Sequence, residues 1–150
     1  MTKKKLVRIG TFETNSSSSH SLSIDFEGGQ TIYEGLEDCI EDEEVWLNCG
    51  ECDFSENLRL NKAKDKIAFL AAMWNSYAKE LNEYYNLKNL KKAIKKNTGC
   101  KKVHLYNIQQ VTDDVEDSLD NLELLGFSDY LYDLIFDPNR YICKKYNYAD

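Results

Sequence analysis

Two periodicities divide the chain near residue 60. Before it, apolar positions recur every second residue. Leu22, Ile24 and Phe26 interleave with Ser21, Ser23 and Asp25, the mark of a strand with one face buried. Leu6 to Phe12 predicts an earlier strand, joined to this one by the polar loop Thr14-Asn15-Ser16-Ser17-Ser18-Ser19-His20. Gly28-Gly29 marks a turn, and Thr31 to Tyr33 predicts a short strand. Gly35 to Glu44, strongly acidic, reads as a helical turn or a loop. Val45-Trp46-Leu47 predicts a strand running into the turn Asn48-Cys49-Gly50.

After residue 60 the spacing becomes helical. Ile67, Leu70, Ala71, Trp74, Ala78, Leu81 and Tyr85 fall on one stripe of a helix of about six turns, with Asn61 placed to cap it. Leu87 to Lys96 predicts a second helix, apolar at Leu87, Leu90, Ala93 and Ile94 and lysine-rich elsewhere, with Gly99 as its stop. Val103 to Ile108 alternates weakly and returns as a strand. A third helix starts at the acidic pair Asp113-Asp114 and buries Val115, Leu119, Leu122 and Leu125 before Gly126. Ser128 is placed to cap a fourth, which packs Leu131, Leu134 and Ile135. Asp137-Pro138-Asn139 is a turn, Tyr141 to Cys143 a last short strand, and Tyr146 to Asp150 a frayed tail. The pattern predicts a single α+β domain over residues 1–150. Its small, mainly antiparallel sheet comes from the N-terminal third plus one or two later strands, and three or four helices cover it.

Composition agrees with a folded chain. At 150 residues, 42% hydrophobic and 30% charged, it is long enough for one core, and it has one proline. No apolar run approaches the roughly 20 residues of a membrane helix, so no membrane partner is expected. The basic start Met1-Thr2-Lys3-Lys4-Lys5 lacks the apolar segment of a signal peptide. Five cysteines without such a segment indicate free thiols in a reducing cytoplasm.

Charge changes the picture more, because it comes in blocks. Residues 34–56 hold ten acidic and no basic residues, 59–102 hold twelve basic against three acidic, and 113–137 hold nine acidic and no basic. Folding could neutralise these blocks against one another, or leave acidic faces that meet a cationic partner.

Three constellations are candidates for chemistry. The first is the serine loop: Ser17 or Ser19 as nucleophile with His20 as acid/base and Glu51 nearby. Neighbours on an extended chain point in opposite directions, so Ser19 and His20 engage poorly, and hydroxyls capping a polar turn explain the same residues. The second is zinc. Cys49-Gly50-Glu51-Cys52 has knuckle spacing, and Cys100 with His104 offers a looser second pair; no other cofactor is implied. The third is the basic run Lys88, Lys91, Lys92, Lys95, Lys96, Lys101 and Lys102, which a pI of 4.9 makes a solvated helix face rather than a nucleic-acid site.

The segment Phe12-Glu13-Thr14-Asn15-Ser16-Ser17-Ser18-Ser19-His20-Ser21 closely resembles the N-terminal signature of a family of small phage and prophage proteins. Cys49-Gly50-Glu51-Cys52-Asp53-Phe54 resembles a Gly-Gly-Glu-Phe-Gly-Trp-like element of that family, from which Cys49, Cys52 and Asp53 depart. Phe136-Asp137-Pro138-Asn139 before a final strand is similar too. The resemblance implies a phage origin and a bacterial cytoplasm, and no reaction. Together with the sorted charge it leads to a non-enzymatic accessory protein that binds a host protein, for instance a defence nuclease inhibited in the anti-CRISPR manner. The expected contacts are Glu41, Asp42, Glu43, Glu44 and Trp46, with Asp113, Asp114, Glu116 and Asp117 as a second acidic face. Trp46 anchors the contact if exposed and belongs to the core if not. The alternative is a small-molecule or nucleotide-handling enzyme using the serine loop.

Overall fold

The alternation of the serine-rich segment becomes β1 (Ser19–Phe26), which pairs antiparallel with β6 (Arg140–Asn147) from Ser19↔Asn147 to Phe26↔Arg140. The structure, a computed structural model, describes residues 19–26, 32–52, 59–82, 84–110 and 125–147, with 19–26 and 143–147 as backbone. The predicted strand Leu6 to Phe12, the Gly28-Gly29 turn and most of the third helix lie outside these residues. β4 (Arg59–Leu60) completes the first sheet on the other side of β6. The last strand is thus longer than the expected Tyr141 to Cys143. Tyr146, expected in a frayed tail, is held by pairing with His20, because eight-residue β1 offers backbone partners along its whole length.

The second sheet has the order β2-β3-β5, with β2 at Ile40–Glu41, β3 at Glu44–Asn48 and β5 at Lys102–Tyr106. β2 and β3 form a hairpin closed by Asp42-Glu43, whereas β3 and β5 run parallel, Glu44↔Lys102 to Asn48↔Tyr106. The single, mainly antiparallel sheet expected from the pattern is therefore two three-stranded sheets, one of them mixed. The reason is the connection: parallel neighbours need a long crossover, and the helices between residues 63 and 98 provide it. The α+β class stands.

Those helices are α1 (Ala63–Ser76), α2 (Ala78–Leu81) and α3 (Leu87–Thr98), followed after residue 125 by α4 (Ser128–Phe136). One helix was expected from Asn61 to Tyr85; the structure breaks it at Tyr77 (φ −131°, ψ 45°). Ser76 Oγ donates back to the Ala72 carbonyl at 3.0 Å, a hydroxyl bond that competes with the helical ladder. The bend turns Leu81 and Tyr85 into the core, where Tyr85 Oη donates to the Leu70 carbonyl at 2.9 Å. Every residue from Lys66 to Met73 is buried, so α1 is the central helix and not an amphipathic cover. Ala68, Ala71 and Ala72 allow neighbours to approach on all sides.

Asn61 does not cap α1. The cap position is Lys62, whose side chain makes no cap bond, and Glu34 Oε1 instead accepts from Ala63 N at 2.9 Å. A carboxylate from a distant loop thus does the capping, favourable at the positive end of the helix. Glu34 also donates its N–H to the Phe136 carbonyl at 2.7 Å and accepts from Asn97 Nδ2 at 3.0 Å through its own carbonyl. These bonds hold residues 32–36 as a loop that ties α1, α3 and α4 together, which is why Ile32 and Tyr33 form no strand. Asn86 and Asn89 form a reciprocal capping box on α3, and Gly99 at φ 77° ends that helix as expected. Ser128 is the first residue of α4 and not its cap; that position is Phe127. The Asp137-Pro138-Asn139 turn forms, with Asp137 Oδ1 accepting from Asn139 N at 2.9 Å.

Candidate functional site

β3 decides which residues meet solvent. Val45 and Leu47 point inward and are buried, so Glu44, Trp46 and Asn48 share the outer face. The pairing adds Glu41 from β2 and Lys102, His104 and Tyr106 from β5 to that face. Trp46 is 45% exposed and Tyr106 44%, large values for aromatic side chains on a strand. The core alternative for Trp46 is thereby replaced: the tryptophan lies outside. The signal was in the sequence, since Val45 and Leu47 must share a face and Trp46 must take the other.

His104 organises the face. Its ring stacks on the indole of Trp46 with centroids 3.9 Å apart and planes 20° apart. Its Nε2 donates to Glu44 Oε1 at 2.7 Å. Sequence reasoning placed His104 only as a metal ligand and missed this pairing, which requires the parallel register Trp46↔His104.

At the end of the hairpin, Asp42 and Glu43 have φ of 54° and 64°. Both lie in the left-handed region that two-residue hairpin turns require and that Asn-Gly or Asp-Gly satisfies at low cost. Glutamate there carries strain of roughly 1 kcal/mol. Across the hairpin Glu41 stands opposite Glu44, a like-charge pair. Glu41, Asp42 and Glu43 are exposed and make no ion pair among the described residues. Ion pairs among the described residues include Lys64–Asp38, Lys96–Asp129 and Arg140–Asp137, and Glu44 is hydrogen-bonded to His104. Among the described residues, no lysine of α3 pairs with Glu41, Asp42 or Glu43. Asp113, Asp114, Glu116 and Asp117 lie outside the described residues.

Ser17 lies outside the described residues; Ser19 and His20 stand in β1 against Asn147 and Tyr146, and Glu51 is exposed in a one-turn 3-10 helix after β3. Cys49, Cys52 and Cys100 are buried, and burial pushes the Cys49 thiol up to about 11. Among the described residues no three His, Cys, Asp or Glu side chains converge on a metal position. The proposed quartet Cys49, Cys52, Cys100 and His104 is thus not brought together, since His104 is committed to Glu44 and Trp46 on the outer face. A cavity of about 230 Å³ lies between α3 and the start of α4, with Lys92 and Lys96 at its rim and Leu125 and Leu131 in its wall. Among the described residues no helix is long and apolar enough to cross a membrane.

No family model, no curated protein and no solved structure matches the chain.

Proposed function

We propose that the chain is a non-enzymatic phage or prophage accessory protein that docks on a cationic surface of a bacterial host protein. A nucleic-acid-handling defence nuclease, whose groove must be basic to hold phosphates, is the partner of that kind. The observation that carries this reading is the outer face of the second sheet: an exposed Trp46 flanked by Glu41, Asp42 and Glu43, whose charge goes uncompensated by the described residues. A tryptophan at the centre of a contact with charge around it is the usual composition of an interface hot spot. Strain at Asp42 and Glu43 supports it, because left-handed non-glycine residues concentrate where function retains them.

The test is capture of partners from host lysate on immobilised protein. The wild type is expected to retain a stoichiometric host protein. Trp46→Ala and the charge reversal Glu41→Lys/Asp42→Lys/Glu43→Lys are expected to lose it, and His20→Ala to keep it. Retention by both outer-face variants would defeat the reading, and loss on His20→Ala alone would move the site to the serine loop.

A further inference from the structure

The open side of Trp46 has a definite chemistry. His104 covers the ring face turned toward β5. The 45% exposure therefore comes from the opposite face and edge, turned toward β2, where Glu41 stands diagonally across the hairpin. A group seated there would touch an electron-rich indole face and a carboxylate together. Indole faces attract cations, and Glu41 is an exposed carboxylate with no partner among the described residues. A second carboxylate, Glu44, lies opposite Glu41 and is held in place by its bond to His104.

The geometry points to an arginine side chain of the partner as the occupant: its guanidinium lies flat on the uncovered face of Trp46 while its N–H groups fork to Glu41. This rests on the docking face described above and names the group that face receives. Arginine fits better than lysine because a planar guanidinium can stack and donate sideways at once, whereas an ammonium is a compact, strongly hydrated charge. A nucleobase would also stack on Trp46, but its phosphates would meet the four carboxylates of residues 41–44 against Lys102 and His104, the bases that the described residues place on the same face. His104 is the positioning residue. Its stack holds the indole upright on the sheet, and its Nε2 is hydrogen-bonded to Glu44.

The experiment uses the full chain and a defined probe, a ten-residue Gly-Arg repeat peptide, followed by calorimetry or by fluorescence in a Trp74→Phe background that leaves Trp46 as the only tryptophan. Expected are binding at least fivefold tighter than to the Gly-Lys repeat, and little binding to the Gly-citrulline repeat, which keeps the shape and loses the charge. Trp46→Leu, with unchanged net charge, should abolish the Arg-over-Lys preference, and Glu41→Gln should weaken Arg binding by about tenfold. Far-ultraviolet dichroism of both variants checks that the fold persists. Equal affinity for Arg and Lys repeats, or a preference untouched by Trp46→Leu, overturns the assignment as mere charge attraction. Tighter binding of oligothymidine than of the Arg repeat overturns it in favour of base stacking. If lysate capture still depends on Trp46 while the peptide shows no Arg preference, the docking reading survives and the arginine assignment falls.

Discussion

Raising the pH from 7 to 9 should relieve a cost that the buried Lys66 places on the folded state. Its side chain is 0% exposed in the middle of α1. Its Nζ donates to the Asp137 carbonyl at 3.1 Å and the Arg140 carbonyl at 2.7 Å, tying the central helix to the turn between α4 and β6. Those carbonyls accept hydrogen bonds without neutralising the charge. Burial pulls the lysine down to about 8; the charges of Glu34 and Asp137 pull it back up, and Arg140 adds repulsion. Against the ordinary lysine value of 10.5 this is a cost of about 3 kcal/mol for keeping the ion charged in the folded state. The folded pKa lies below the unfolded one, so between about 8 and 10.5 the unfolded chain binds more protons and stability rises with pH. Below about 7 the cost is fully present. Integrated from pH 7 to 9, the gain is about 1.3 kcal/mol. From about pH 8 upward the buried Cys49 thiol, pushed up from 9.0 to about 11, acts in the opposite sense, because the unfolded chain loses that proton first; half-buried Cys39, also raised by burial, acts the same way. Tyr85, raised by its burial, does the same above pH 10. The assay is urea unfolding by circular dichroism at matched ionic strength, at half-unit steps from pH 7 to 9.5, for wild type and Lys66→Met. Wild type minus variant isolates Lys66 from the other titrating groups. That difference should climb by about 1.3 kcal/mol over two pH units; a flat difference would refute the reasoning, whatever the two absolute stabilities.

Three further outcomes follow from the geometry. Glu43→Gly replaces a left-handed glutamate by the residue this turn favours and should stabilise the protein by about 0.5–1 kcal/mol in the same urea assay. Glu34→Ala removes the carboxylate that caps α1 and should cost about 1–2 kcal/mol, seen as a lower melting temperature, although Glu34 lies far from that helix in sequence. In native protein at pH 8, iodoacetamide followed by peptide mass mapping should label half-buried Cys39 ahead of buried Cys49, and denaturant should abolish the order.

Local pattern carried much of the architecture. Alternation in Ser21 to Phe26 and in Val45 to Leu47 determined two strands, and the lysine-backed stripe with its closing glycine determined α3, because each signal lies within one element and needs no partner. Helix ends were less legible. Asn61 and Ser128 have the right chemistry to cap, but the cap of α1 arrives from Glu34 and α4 begins at Ser128 itself. The outward direction of Trp46 was implicit in its neighbours, while its stacking on His104 was not, since the two are brought side by side only by a parallel register across a helical crossover. Charge blocks were visible along the chain, but that the described residues leave Glu41, Asp42 and Glu43 without an ion pair depended on where the fold places its lysines. Lys66 shows the same division: its helical position followed from periodicity, but its burial came from helices and a turn closing around α1 on every side. Short-range periodicity fixes which way a side chain leaves its own element, and long-range packing decides what waits for it there.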